Sequence, residues 1–308
     1  LKILSRGKLS DGAMQRIRDI SPQITVGRDV NAAEANVIFG NISAEEAASG
    51  KLKWVQCQSA GVEHYPLAEM IERDVMLTNA QGCYGPEIAE HAFGLLFGLT
   101  RGIAQQVRQM SARKWGSENK PVEVRGMTMG IIGLGGIGRE VARRAKAMDM
   151  KVIAVDAEPM FAERFAMVDE VTLVERGLDS LVARSDVLVC CAPHTPKSRG
   201  MLGAKQFSAM KRGSYFINVS RGKLVKTDAL LDALKSGQLA GAGLDVTDPE
   251  PLPADHVLWD APNVIITSHI AGQSQLSWDR VELVFAENVA RFAQGLPLLN
   301  MVDRQKGY

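Results

Sequence analysis

Three short stretches late in the chain carry side chains suited to a single piece of chemistry. Ser220-Arg221-Gly222-Lys223, Asp245-Val246-Thr247-Asp248-Pro249-Glu250-Pro251 and Ser268-His269-Ile270-Ala271-Gly272 each follow a run of apolar residues. Arginine can grip a carboxylate with a planar fork that lysine lacks. Histidine titrates near working pH and can exchange a proton with a hydroxyl. A carboxylate on the other ring nitrogen orients the imidazole and stabilises its charged form. Arg221, a carboxylate from the stretch Asp245 to Glu250 and His269 together therefore suit the oxidation of an alcohol beside a carboxylate, or its reverse. Singly, each would be an ordinary polar residue; their place at successive strand ends is the signal. His64, His91, His194 and His256 lack this arrangement, and His91 reads as a satisfied helix residue. No histidine pair has metal-ligand spacing, so no metal is expected.

Such a reaction needs a hydride carrier, and the stretch from Gly126 to Asp156 supplies a place for one. Met129-Gly130-Ile131-Ile132 is a short apolar run, and Gly133-Leu134-Gly135-Gly136-Ile137-Gly138 fits G-x-G-x-x-G. Val141, Ala142, Ala145 and Met148 follow at helical spacing, and Lys151 to Val155 is a second apolar run ending on Asp156. In a dinucleotide site Gly133 permits the turn, Gly135 lets backbone approach a diphosphate, and Gly138 lets helix pack on strand. The helix N-terminus offers N–H groups and a partial positive charge to the diphosphate. Asp156 suits ribose hydroxyls and would repel a 2′-phosphate, so NAD is expected over NADP.

The elements that must position these groups follow an α/β rhythm. Ile3-Leu4, Ile24 to Val26, Val37 to Phe39, Trp54 to Cys57 and Val75 to Thr78 read as strands separated by helical or loop segments, the first helix capped by Ser10. After Asp156 the alternation resumes with Val187 to Cys191, Ser214 to Val219, Ala240 to Leu244 and Val264 to Ile266. Alternation of this kind predicts parallel sheets with helices on both faces, a doubly wound α/β fold. Pro86 to about Arg113 reads as one long helix able to cross between domains, and Ser277 to Gln294 as a last helix stopped by Gly295 and Pro297. Ser59-Ala60-Gly61-Val62, after the fourth strand, is a small-residue loop whose backbone N–H groups could hold a carboxylate, or simply an ordinary turn.

At 308 residues the chain has the length of about two domains, with 46% hydrophobic and 23% charged residues as in ordinary globular proteins. A net charge of +1 gives no reason to expect nucleic acid or a membrane surface as partner. No apolar stretch reaches the roughly 18 residues of a spanning helix. The opening LKILSRGKLSD reads as a strand rather than a secretory leader, and Cys57, Cys83, Cys190 and Cys191 show no disulfide framework. A cytoplasmic protein with reduced thiols is expected.

The motifs GIIGLGGIG with Val155-Asp156, CAPHTPKSRGML, NVSRGKLVKTDAL, GAGLDVTDPEPLP and NVIITSHIAG occur in this order. Together they resemble the D-isomer-specific 2-hydroxyacid dehydrogenases, the glyoxylate and hydroxypyruvate reductases among them, from about Trp54 onward. The resemblance implies two Rossmann-like doubly wound domains, a dinucleotide-binding domain (100–274) inserted into a flavodoxin-like substrate-binding domain (1–99 and 275–308). It implies hydride transfer between NAD(H) and a small 2-oxo acid/D-2-hydroxy acid pair, in a homodimer. Arg221 falls where the family grips its substrate, His269 at the acid/base and Glu250 at its paired acid. Gly136, Ile137, Asp156, Ala192, Pro193, Val219, Ser220, Asp245 and Gly272 fall at dinucleotide contacts, and Ser59 to Val62 at the substrate carboxylate. Tyr84, Trp115 and Trp278 are candidates for shaping the side-chain pocket. The family often has a larger residue at Gly136, a proline at Ser268 and an acidic pair at Lys226-Thr227; none of these is a catalytic position. Glu250 argues against formate dehydrogenase, whose members carry glutamine there. The rival reading is an NAD(H)-sensing protein without turnover, like the family's co-repressors, which an intact Arg221, Glu250 and His269 disfavours.

Overall fold

The computed structural model describes residues 1–116, 120–159 and 167–308. The chain forms two compact units, one of Leu1–Tyr84 with Ser274–Tyr308 and one of Gly85–Gln273.

The first unit is built on five parallel strands, β1 (Lys2–Ser5), β2 (Thr25–Gly27), β3 (Val37–Phe39), β4 (Trp54–Gln56) and β5 (Met76–Thr78), in the order β2-β1-β3-β4-β5. Every residue of β3 and β4 is buried, as expected for parallel strands covered on both faces. Successive side chains point to opposite faces. Ile3, Phe39 and Trp54 meet the helices Asp11–Ile20 and Ser277–Ala293 through Ile17, Val281, Phe285 and Val289. Leu4, Ile38, Val55 and Leu77 form the other core with Met70 and Tyr65. Ser10 caps the first helix by accepting from Ala13 N at 3.1 Å. The last helix stops before Gly295, whose φ of +68° suits glycine. The carboxyl-terminal helix thus covers the sheet that the amino-terminal segment builds.

The second unit carries seven parallel strands, β6 (Thr128–Ile132), β7 (Lys151–Asp156), β8 (Glu170–Leu173), β9 (Val187–Cys190), β10 (Ser214–Asn218), β11 (Leu239–Leu244) and β12 (Val264–Ile266). Their order, β12-β11-β10-β9-β6-β7-β8, reverses direction between β6 and β9, and at such a switch point open α/β sheets bind ligands beyond the strands' carboxyl ends. β8 goes unseen in the sequence because it is an edge strand of only four residues, none of them buried.

Two boundaries differ from expectation. The stretch from Pro86 to Arg113 is two helices, Gly85–Thr100 and Ile103–Ser111, broken where Gly102 takes φ +67°. The unit boundary falls at Gly85 rather than after residue 99. Ala92, Leu95 and Leu96 of the first helix are buried with Ile131, Val189 and Ile217 of the second unit's sheet. The helix therefore starts the second unit instead of bridging two. The carboxyl-terminal boundary, Gln273/Ser274, lies one residue from the expected 274/275. All four cysteines are free thiols. Among the described residues no helix is long and apolar enough to cross a membrane, and no group of three or more metal-type side chains converges.

Candidate active site

The glycine turn follows β6 directly. Gly133 takes φ +91°, and its N–H donates to Val155 O at 2.8 Å, pinning the turn to β7. A side chain at Gly133 would place its Cβ 2.9 Å from the Ala192 Cα, and one at Gly138 would place it 2.0 Å from the Gly133 carbonyl oxygen. Both glycines are therefore required by backbone approach. The helix Gly136–Ala147, with Gly136, Ile137 and Gly138 in its first turn, begins at Gly135 with no side-chain cap. Its leading N–H groups and dipole are thus directed at the space beyond the strand ends. Asp156, ending β7, accepts from Leu134 N at 2.7 Å and Glu158 N at 2.8 Å, one bond on each carboxylate oxygen. Each oxygen keeps a lone pair for a further donor. An uncapped helix start, a glycine-rich turn and an acid at the next strand end fit a dinucleotide.

Ala192 and Pro193 come after β9, with Ala192 buried against the turn and Pro193 exposed. Cys190, which ends β9, is fully buried; burial pushes its thiol up, and its sulfur lies 3.3 Å from Ser220 Oγ. That thiol is inert structure. Val219 and Ser220 are buried after β10, and Asn218 at the strand's end organises the loop beyond it. Its Oδ1 accepts from Ser220 N at 3.1 Å and Ser220 Oγ at 3.0 Å, while its Nδ2 donates to Arg221 O at 3.0 Å. Arg221 has extended backbone (φ −142°) and donates from Nη1 to Ser220 O at 2.8 Å. A Cβ on Gly222 would lie 1.9 Å from Thr247 O, so the Arg221 loop lies directly against the loop that runs to Glu250.

The structure brings Glu250 and His269 together, the pair that the family resemblance implies. His269 Nδ1 lies 2.5 Å from Glu250 Oε1, with the two side chains 45% and 39% exposed. This contact assigns Nδ1 to the carboxylate and leaves Nε2 as the nitrogen for proton exchange. His269 has φ +55°, a left-handed backbone uncommon outside glycine. Its N–H donates to Asp245 O at 2.9 Å. The Asp245 carboxylate is 2% exposed and accepts from Ile270 N and Ala271 N, each at 3.0 Å. Gly272 is the next residue along. Asp245 thus holds the histidine loop. Sequence reasoning missed Asn218 and Thr267; a polar residue ending an apolar run was their only trace.

Ser59 to Val62 lie in the first unit, after β4. Ser59 O accepts from Ala80 N at 3.0 Å, Ala60 O from Asn79 Nδ2 at 2.8 Å and Gly61 O from Ser59 Oγ at 2.7 Å. The loop is fixed through its carbonyls and the Ser59 hydroxyl, and among the described residues the N–H groups of Ala60, Gly61 and Val62 donate to no protein acceptor. Such a row of amides suits an anion. Of the aromatic candidates, Tyr84 donates to Gln58 O at 2.5 Å beside this loop. Trp278 instead packs edge-on against Phe39 and donates to Lys8 O, and Trp115 is fully exposed.

Comparison with known proteins places this geometry. Residues 93–271 match the profile described as "D-isomer specific 2-hydroxyacid dehydrogenase, NAD binding domain". The chain is 34% identical over 263 residues to a glyoxylate reductase of Korarchaeum cryptofilum, covering 84% of this chain and 78% of that one. It is 34% identical over 318 residues to a D-3-phosphoglycerate dehydrogenase of Archaeoglobus fulgidus, covering 98% of this chain but only 59% of that longer protein. The crystal structure of a D-isomer specific 2-hydroxyacid dehydrogenase family protein from Aeromonas salmonicida is 32% identical and superposes with a TM-score of 0.80 over 98% of both chains. With the NAD-binding-domain profile matched over more than half of the chain and relatives above 30% identity, the chain belongs to the D-isomer specific 2-hydroxyacid dehydrogenase family.

Proposed function

We propose that this chain interconverts a small 2-oxo acid of the glyoxylate/hydroxypyruvate type and its D-2-hydroxy acid, using NAD(H). The observation that carries the proposal is the 2.5 Å contact between His269 Nδ1 and Glu250, which leaves Nε2 to exchange the substrate proton. Bound nicotinamide supplies the hydride. The turn Gly133–Gly138 and the uncapped helix start would hold the diphosphate, with Ala192, Pro193, Val219, Ser220, Asp245 and Gly272 as further contacts. Asp156 accepts from the ribose hydroxyls and disfavours a 2′-phosphate, so NAD is preferred over NADP.

In reduction the Arg221 guanidinium grips the substrate carboxylate and polarises the adjacent carbonyl, which raises the electrophilicity of the oxo carbon. His269 donates its Nε2 proton to the oxygen as negative charge develops there. Glu250 stabilises the imidazolium before that transfer and fixes the ring afterwards. In oxidation the same nitrogen accepts the hydroxyl proton. The amides of Ser59 to Val62 bind the carboxylate. The same reading expects a homodimer, which sedimentation of the 33.4 kDa chain tests.

The deciding experiment is an NADH-consumption screen across glyoxylate, hydroxypyruvate and larger 2-oxo acids, repeated with NADPH. Turnover with the small acids supports the proposal. Tight NADH binding without consumption by any of them would refute it and favour the sensing protein.

A further inference from the structure

His91, on the helix Gly85–Thr100, reads in the sequence as a satisfied helix histidine, and the structure shows what satisfies it. Its Nε2 lies 2.8 Å from Thr267 Oγ1 and 3.4 Å from Asp245 Oδ1. Thr267 Oγ1 lies 2.6 Å from the same Asp245 oxygen. A carboxylate only accepts, so the single hydroxyl proton of Thr267 points to Asp245. Toward His91 the hydroxyl must then accept, and the imidazole carries its proton on Nε2. The result is a one-way chain, His91 to Thr267 to Asp245, ending on a buried carboxylate.

The same carboxylate also accepts from Ile270 N and Ala271 N, and the Asp245 carbonyl takes His269 N. Three consecutive amides around His269 are therefore tied to one residue. They hold His269 at φ +55°, a conformation that costs a non-glycine residue free energy and persists only when its surroundings impose it. A donor at His91 polarises the Thr267 hydroxyl and strengthens the bond it gives to Asp245, so cutting the chain at His91 weakens that anchor of the buried carboxylate.

We propose that His91 is a positioning residue for the proton transfer, holding the His269 loop through Thr267 and Asp245. The inference rests on the reading of His269 as acid/base. The polar contacts of His91 are with Thr267 and Asp245, so the signature expected of it is a loss in kcat with dinucleotide affinity unchanged.

The test compares His91→Leu, His91→Gln, Thr267→Val and the His91→Leu/Thr267→Val double variant. Three readouts serve: kcat and KM with the best 2-oxo acid, NADH Kd by fluorescence, and hydrogen exchange across residues 267–271. His91→Leu is expected to lower kcat on the order of tenfold while NADH Kd stays within about twofold of wild type, within the scatter of an uncoupled site. It should also speed exchange at Ile270 and Ala271. His91→Gln, which keeps a donor, should recover most of both, so a general folding defect is distinguishable. The double variant should be no slower than Thr267→Val alone, because both changes cut one chain. Wild-type kcat and exchange in His91→Leu, or losses that multiply in the double variant, would overturn the proposal. If the wild type consumes no NADH with any 2-oxo acid, the functional reading fails, and the exchange measurement still decides whether His91 holds the loop.

Discussion

Replacing Gly138 with alanine tests the dinucleotide turn at its tightest point. The added Cβ would lie 2.0 Å from the carbonyl oxygen of Gly133, an atom of main chain. A carbon and an oxygen not bonded to each other need more than about 3 Å, so turn and helix must separate by about 1 Å. Ile132 and Val141, on the flanking strand and helix, are both buried and resist that movement. Overpacking of this kind costs roughly 1–3 kcal/mol. The same displacement moves the amides of the helix start, so dinucleotide affinity should fall about tenfold, equivalent to ~1.4 kcal/mol. Gly94 supplies the control. It is an exposed glycine inside the helix Gly85–Thr100, where a Cβ meets nothing within 4 Å. Alanine there should stabilise by about 0.5–1 kcal/mol through helix propensity. Urea unfolding at constant m value and NADH titration read both variants. If Gly138→Ala matches wild type in stability and NADH affinity, the close packing of turn and helix does not matter as argued. If Gly94→Ala loses stability, the exposed face of that helix has been misjudged.

Other outcomes rest on the same geometry. His269→Ala should lower reduction of the best 2-oxo acid by about 10²–10⁴-fold, the usual contribution of general acid catalysis, with NADH Kd unchanged; near-wild-type turnover would remove His269 from the mechanism. Asp156→Ser removes the carboxylate we propose to meet the ribose and should raise the NADPH-to-NADH ratio of kcat/KM at least ~10-fold, on the scale of one lost charge repulsion. Steady-state kinetics with both cofactors checks it, and an unchanged ratio would assign cofactor choice elsewhere. Asp169 accepts from Val152 N at 2.7 Å and pairs with Lys146, which together hold its carboxyl below the usual range. Because the folded value is depressed, its stabilisation is present in full above the unfolded carboxyl value and is lost as pH falls through the folded one. Asp169→Asn should therefore lower the melting temperature at neutral pH, with the gap closing in acid. A gap that widens in acid would contradict the sign.

The strands were legible because parallel strands buried on both faces leave continuous apolar runs, as β3 and β4 do. Where that physics weakens, so does the reading. β8 has solvent access along its length, and its alternation of Glu170, Val171, Thr172 and Leu173 carries no run to recognise. The break between the helices Gly85–Thr100 and Ile103–Ser111 was hidden for a different reason. A glycine within a helical pattern is usually tolerated, as Gly94 and Gly98 are in this chain. Gly102 differs because its φ is +67°, a property of the fold rather than of its neighbours in sequence. Residue types alone suggest that His269 meets a carboxylate of the stretch from Asp245 to Glu250, since a histidine and a carboxylate at strand ends have an evident use for each other, and the family resemblance singles out Glu250. Asn218, Thr267 and His91 had no such use until their partners were known. Their side chains act on backbone and on Asp245, and a polar group that serves another polar group leaves no chemical signature in sequence. What local patterning conveys is therefore the identity of the reacting groups. The hydrogen bonds that fix their orientation come from residues distant in the chain, as in the pairing of His91 with Thr267, and only the folded sheet brings those together.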